Sequence, residues 1–143
     1  MNKTISKKLS MVLVAVMALF YGFANFASAS NDNYVFDTIV KPYWLDNYNP
    51  GGRFRDTTHT NNPWKVNLRY SGEGRGTLTD FWLENRNDTR VTNKETVKQG
   101  VGAHYFKAYA SASQTKVWLM CENNNFNGET YRITGYWDEE TWD

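Results

Sequence analysis

The chain has 143 residues, with 16 Lys and Arg against 15 Asp and Glu, and 16% of its residues are aromatic. This length is sufficient for one domain with a single hydrophobic core. The near balance of charge, without a stripe of Lys and Arg, excludes a protein that tracks the phosphates of a nucleic acid.

The first 29 residues have the order of features found in a secretory signal peptide. Three lysines precede an apolar run over residues 9–26, and the run ends in the small residues Ala27-Ser28-Ala29. The central apolar stretch is about 14 residues long, whereas a membrane-spanning helix needs roughly 20. We therefore predict cleavage between Ala29 and Ser30, and a secreted, extracellular protein with a single domain over residues 30–143.

The predicted mature chain has 13 basic and 15 acidic residues, so its formal net charge is −2. Cys121 is its single cysteine, which leaves no partner for an internal disulfide. The apolar neighbours Val117 and Leu119 favour a buried, unreactive thiol over a disulfide between two chains. All six Trp and eight of the nine Tyr lie in the mature chain, enough to fill a small core and leave aromatic side chains for a surface.

The mature sequence predicts strands and turns, because no long stretch has the apolar spacing of a helix. Residues 64–70 alternate apolar and polar side chains, which is the period of a half-buried strand. An edge strand is predicted at Tyr34–Val40, a loop or broken strand at 41–56, and an irregular segment at 85–94. Further strands are predicted at 77–84, 104–110, 116–122 and 130–138. This pattern indicates an all-β fold, a small antiparallel β-sandwich of six or seven strands, with a small closed β-barrel as the alternative.

Two hairpins are expected between these strands. A glycine-rich turn at residues 71–76 would pair Tyr70 with Thr77. A short turn at residues 111–114 would place His104 opposite Cys121, and the last strand would bring Ile133 beside Leu119. We expect that face of the C-terminal strands to belong to the core.

The opposite face of the C-terminal strands is the predicted binding surface. Lys107 would lie across from Trp118, within reach of a cation–π contact. Aromatic faces edged by polar groups suit sugar rings and also protein partners. The predicted binding residues are Tyr105, Tyr109, Trp118, Tyr136 and Lys107.

The alternative is that residues 34–55 cover this face and form a second small core. That segment carries four large aromatic side chains that need a place to pack, Tyr43, Trp44, Tyr48 and Phe54.

Patterns that would indicate catalysis are weak. The string Gly72, Gly74, Gly76 lies between two predicted strands, whereas a phosphate cradle leads into a helix. His104 and Cys121 could form a nucleophilic pair, but both are expected in the core without an orienting third residue. The two histidines show no metal-ligand spacing. Carboxylates that could serve glycoside hydrolysis are Glu84, Glu122, Asp138, Glu139 and Glu140, of which the last three are expected in a solvated acidic tail.

Several turn and aromatic segments occur together. They are Asn62-Pro63-Trp64-Lys65-Val66, Tyr70-Ser71-Gly72-Glu73-Gly74, Phe81-Trp82-Leu83, Val97-Lys98-Gln99-Gly100 and Gly135-Tyr136-Trp137-Asp138-Glu139-Glu140-Thr141. With these segments the chain resembles a family of small secreted proteins from Gram-positive bacteria that is defined as a domain of unknown function. The resemblance covers about residues 53–141. It implies export and a bacterial source, and it implies no activity.

These observations predict a non-catalytic, secreted binding module for cell-envelope glycan or for a protein partner. No metal, cofactor or nucleic acid is expected, and contact with a membrane is expected only during export. A bacteriocin-like antagonist that acts on the envelope of a neighbouring cell is the alternative, and a hydrolase is the least favoured reading.

Overall fold

A computed structural model describes residues 31–142, so the predicted signal peptide and its cleavage site at Ala29 and Ser30 lie outside the described residues. A short 3-10 helix lies at Ala110–Ala112, and no helix of the described part is long and apolar enough to cross a membrane. The strands are β1 Tyr34–Val40, β2 Asn47–Tyr48, β3 Arg53–Arg55, β4 Trp64–Ser71, β5 Leu78–Asn85, β6 Glu95–Lys98, β7 His104–Phe106, β8 Thr115–Asn123 and β9 Tyr131–Asp138.

These strands form two sheets that pack face to face. The four-stranded sheet has the order β1-β9-β4-β7, and the five-stranded sheet has the order β2-β8-β5-β6 with β3 also paired to β8. Every pair among the named strands is antiparallel. The sheets do not close into a barrel, so the predicted all-β sandwich is confirmed. The edge position of β1 and the broken strand at residues 41–56 are confirmed as well.

The first predicted hairpin is wrong. β4 pairs with β9 and β7, whereas β5 pairs with β8 and β6, so Tyr70 lies opposite Thr134 rather than Thr77. The glycine-rich segment carries the chain from one sheet to the other, and Gly74 and Gly76 adopt positive φ angles of 127° and 75° on the way.

The second predicted hairpin is also wrong, because β7 pairs with β4 instead of β8. His104 lies opposite Val66 in the four-stranded sheet, and Cys121 lies opposite Phe81 in the five-stranded sheet. The segment between β7 and β8 forms the 3-10 helix, and its residue Ala112 is fully buried. The chain therefore crosses from the four-stranded to the five-stranded sheet here, as it does between β4 and β5.

The core lies between the two sheets and takes side chains from both. Ile133, predicted beside Leu119 in one sheet, lies in the opposite sheet, and both side chains are buried. The ring of Phe36 in β1 lies 5.7 Å from the ring of Phe81 in β5, centroid to centroid. Other fully buried side chains are Trp64, Val66, Leu68, Leu83, Val91, Val97 and Val117.

Gly135 of β9 makes space for this contact. A Cβ atom at position 135 would lie 2.0 Å from the carbonyl oxygen of Asn67 and 2.6 Å from the ring of Phe36. The Asn67 oxygen belongs to the backbone of the neighbouring strand β4, so it cannot move aside as a flexible side chain would. Only glycine fits this position.

The last described residues, 138–142, are hydrogen-bonded to residues 55–63. The carboxylate of Glu140 accepts hydrogen bonds from the backbone N–H groups of Asp56 at 3.1 Å and Thr57 at 2.8 Å. The fully buried guanidinium of Arg55 donates to the carbonyl oxygens of Glu139 and Asn62. The bonds to Glu139 and Glu140 join two parts of the chain more than 80 residues apart.

The expectation of a solvated acidic tail is therefore wrong. Asp138, Glu139 and Glu140 are only 1%, 8% and 4% exposed. Burial raises the pKa of Asp138 from 3.8 to about 6, although Lys65 Nζ lies 3.9 Å from its Oδ2 atom and opposes the shift. Burial also raises the pKa of Glu139 to about 7, and the charge of Asp138 raises it further. The protonated forms of both groups are thus favoured by folding.

We predict that Gly135→Ala lowers the stability of the domain by about 3 kcal/mol and its Tm by roughly 15 °C, because the new methyl group meets fixed backbone. Thermal unfolding followed by circular dichroism measures this. Gly72→Ala is the matched control, since its Cβ would meet nothing closer than 3.4 Å. Equal Tm values for the two variants would contradict the packing assigned to Gly135.

We predict that the Tm rises when the pH is lowered from 7.5 to 5. The folded-state pKa values of Asp138 and Glu139 are about 6 and 7, whereas their ordinary values are 3.8 and 4.5. As the pH falls through this range, the folded chain therefore binds protons on these two groups that the unfolded chain does not bind. Their contribution to stability is therefore present at low pH and is lost as the pH rises through 6 and 7.

The double variant Asp138→Asn, Glu139→Gln imitates the protonated side chains and isolates their effect from that of the other carboxyl groups. We expect it to exceed the wild type in Tm at pH 7.5 and to have a smaller pH dependence. The same slope of Tm against pH in both proteins would refute the assignment.

Candidate functional site

The structure divides the predicted binding residues between opposite faces of the sandwich. Tyr105 and Tyr136 lie on the outer face of the four-stranded sheet, and Trp118 lies on the outer face of the five-stranded sheet. Lys107 and Tyr109 follow β7 and are exposed. The expectation that these five residues share one surface is wrong, because β7 and β9 belong to one sheet and β8 to the other.

A groove of about 340 Å³ on the outer face of the four-stranded sheet is lined in part by Tyr136. Arg69 already contacts this side chain: its guanidinium carbon lies 5.4 Å from the ring centroid, and its Nη1 atom donates to the Tyr136 hydroxyl at 3.2 Å. The guanidinium of Arg69 therefore already uses part of the Tyr136 ring for a contact within the chain.

An open cleft of about 300 Å³ lies on the outer face of the five-stranded sheet, and we call it the Trp118 cleft. Aromatic side chains come from β8 and β2, where Tyr48 lies opposite Met120. Polar side chains come from the end of β5, where Glu84 lies opposite Trp118, and from the turn that follows. The lining residues are Tyr48, Glu84, Asn85, Arg86, Asp88, Trp118 and Met120.

The indole of Trp118 is held in place on the sheet. It packs against Gly52, where a Cβ atom would lie only 2.4 Å from the ring. Lys116 Nζ lies 5.3 Å from the ring centroid, so Lys116 makes the cation–π contact that was predicted for Lys107. The side chain of Trp118 is half-buried and presents the remainder of its surface to the cleft.

Trp82 fixes the polar side of the cleft. Its side chain is fully buried, with the cations of Arg90 and Lys94 at 5.0 and 4.7 Å from the ring centroid. Its Nε1 atom donates a 2.6 Å hydrogen bond to Oε1 of Glu84. The carboxylate of Glu84 is thus oriented before any ligand arrives.

The turn after β5 positions two further charged side chains, Arg86 and Asp88. Asn85 Oδ1 accepts hydrogen bonds from the backbone N–H groups of Asn87 at 2.9 Å and Thr89 at 3.3 Å. Asp88 has a φ angle of 54°, a left-handed conformation that Asp tolerates better than most residues. The turn therefore has a defined shape, with a cation and an anion at the rim of the cleft.

The residues considered for catalysis have other contacts. Cys121 is buried, as predicted, and burial raises the pKa of its thiol to about 12, so the thiol stays protonated. It lies in a different sheet from His104 and donates to the carbonyl oxygen of Ile39 at 3.8 Å. Glu122 forms an ion pair with Lys94 at 2.6 Å. Within residues 31–142, no group of three or more His, Cys, Asp and Glu side chains could hold a metal ion.

Sequence reasoning missed the contribution of Tyr48. The expectation that residues 34–55 cover the predicted face is wrong, because β2 and β3 pair with β8 and widen the five-stranded sheet instead. The sequence signal for β2 was weak, since a strand of two residues is too short to show a periodic pattern. The aromatic side chains of this segment stay between 52% and 55% exposed at Tyr43, Trp44, Tyr48 and Phe54.

A protein-family model matches most of the chain. Residues 23–141 match the family described as "Protein of unknown function (DUF2712)". No curated protein and no solved structure matches the chain. The match extends over most of the predicted mature chain and includes every strand described above, and the chain therefore belongs to the DUF2712 family.

Proposed function

We propose that this protein is a secreted, non-catalytic binding module that holds a glycan of the cell envelope in the Trp118 cleft. The observation that carries the proposal is the combination of aromatic rings and oriented polar side chains around one open cleft of about 300 Å³. The signal-peptide pattern of residues 1–29 supports a location outside the cell.

The aromatic side of the cleft suits a sugar ring. The C–H face of a pyranose packs on an aromatic face, and its hydroxyl groups then point to the sides. Trp118 and Tyr48 provide aromatic surface on neighbouring strands of one sheet. The cleft volume is at the lower end of the range for small-molecule sites, which fits a short stretch of glycan rather than a large ligand.

The polar side of the cleft suits hydroxyl groups. Glu84 accepts from Trp82 through Oε1, and its second oxygen can accept a hydrogen bond from a sugar hydroxyl. Arg86 can donate, and Asp88 can accept. Because two carboxylates accompany one guanidinium, the cleft favours an uncharged glycan over a polyanion such as teichoic acid.

We predict that Trp118→Ala weakens binding to purified peptidoglycan by about tenfold or more, because it removes the aromatic ring that Gly52 and Lys116 hold in place at the cleft. Tyr48→Ala should give a smaller loss. The measurement is a pull-down with the chain from Ser30, followed by titration with soluble glycan fragments and a glycan array that includes teichoic acids.

Tyr105→Ala is the matched control, since Tyr105 is 53% exposed on the opposite sheet and should bind as the wild type does. Circular dichroism shows whether each variant is folded. Equal losses for Trp118→Ala and Tyr105→Ala would exclude the cleft as the site. A wild-type protein that binds no glycan would overturn the proposal and favour a protein partner.

A further inference from the structure

A second group of exposed apolar side chains lies at the end of the sandwich where Val40 of β1 pairs with Tyr131 of β9. The loop after β1 and the loop between β8 and β9 meet there, and each large apolar side chain in them is more than half exposed. We call this group the aromatic tip, and its members are Tyr43 at 55%, Trp44 at 52%, Leu45 at 54% and Phe126 at 64% exposure.

Contacts between the two loops hold the aromatic tip together. The ring of Phe126 lies 5.4 Å from that of Tyr43 and 4.7 Å from that of Trp44, both in tilted geometry. The backbone N–H of Tyr43 donates to the carbonyl oxygen of Asn127 at 2.9 Å. Gly128 leaves room for the Tyr43 hydroxyl, which would lie 2.7 Å from a Cβ atom at that position. The rings are therefore presented as one cluster.

The backbone that carries the tip is strained. Tyr43 and Trp44 are consecutive residues with φ angles of 54° and 60°, a left-handed conformation that is unfavourable for side chains with a bulky Cβ substituent. Strain of this kind persists where the surrounding structure enforces it, and it clusters at binding sites.

The side-chain amides of the tip are already bonded to the protein. Asn124 Nδ2 donates to Asp80 Oδ1 at 3.1 Å, and Asn127 Nδ2 donates to Glu73 Oε1 at 3.2 Å, both outside the two loops. Residues 42–45 and 123–128 contain no Asp, Glu, Lys or Arg. Asn123 Nδ2 donates to Asn127 Oδ1 at 2.9 Å, and Asn123 Oδ1 accepts from the backbone of Asn125 at 2.9 Å. Asn127 Oδ1 also accepts from the backbone of Glu129 at 3.0 Å. Because these amides are bonded to the protein, they give up fewer hydrogen bonds to water when the tip leaves water.

We propose that the aromatic tip inserts into the interfacial region of a lipid bilayer and docks the folded protein on a membrane surface. Trp and Tyr are the side chains that settle at the level of the lipid headgroups, while Phe and Leu favour the acyl chains beneath them. A protein interface would instead be rimmed by polar groups that await a partner, whereas the side-chain amides of this tip are already bonded to the loops or to neighbouring carboxylates of the domain. This proposal does not depend on glycan binding in the Trp118 cleft.

The test is co-sedimentation of the chain from Ser30 with vesicles of phosphatidylcholine and phosphatidylglycerol. Every contact described above is made within residues 31–142, and the apolar run of residues 9–26 would bind vesicles by itself. We expect the wild type to sediment with the vesicles. The double variant Trp44→Asn, Phe126→Asn should lower partitioning by about tenfold or more. Asn tolerates the left-handed backbone at position 44, and both side chains are more than half exposed, so this variant should keep its fold, which circular dichroism checks.

Phe54→Asn is the matched control, because Phe54 is 54% exposed on β3 of the five-stranded sheet, outside the tip. It should sediment as the wild type does. Failure of the wild type to sediment, or equal sedimentation of the tip variant and the control, would overturn the proposal. If the tip variant lost binding to a protein while vesicle binding was unchanged, the tip would be a protein interface and the lipid assignment would be wrong.

Discussion

The contact between Phe36 and Phe81 spans the two sheets and sets the distance between them. Both rings are fully buried, and their centroids are 5.7 Å apart. Cys121 is buried and forms no disulfide, so side-chain packing rather than a covalent link holds the described sheets together. The absence of a side chain at Gly135 is what allows the Phe36 ring to occupy its place. Both outer faces take their positions from this packing.

The two candidate surfaces are pre-organised by different means. The Trp118 cleft is built on hydrogen-bonded strands, with Gly52 behind the indole and the Trp82 to Glu84 hydrogen bond at its side. Such a site loses little conformational freedom when a ligand binds. The aromatic tip lies on two loops, and its geometry depends on left-handed backbone and on hydrogen bonds between asparagines. It holds apolar side chains in water at a cost in stability, which is expected of a surface used for contact.

Sequence reasoning predicted the strands better than their partners. Alternation within residues 64–68 correctly indicated that Trp64, Val66 and Leu68 face the core, because the side chains of a strand point alternately to its two faces. It was wrong for Tyr70, which is 51% exposed, because the register shifts between Leu68 and Tyr70. The same alternation is compatible with any neighbouring strand, so it could not show that β4 pairs with β9 or that β5 lies in the other sheet. Chain order suggested hairpins, and at both turns the chain crosses between sheets instead.

The same limit applies to the candidate site. Trp118 could be predicted as an outward-facing aromatic from its buried neighbours on β8, but Tyr48 comes from a strand of two residues. The buried state of Glu140 could not be predicted either. It depends on backbone N–H groups more than 80 residues earlier, which a local pattern of three acidic residues does not reveal.

The position of β9 has a consequence for the order of folding. It is the last strand in the chain, yet it lies inside the four-stranded sheet between β1 and β4. Among the described strands, β1 pairs in its sheet with β9 alone, so it stays unpaired until residues 131–138 are available. During synthesis, β1 and β4 can therefore be joined in one sheet only once residues 131–138 have left the ribosome. The four-stranded sheet can close only after the final strand has emerged.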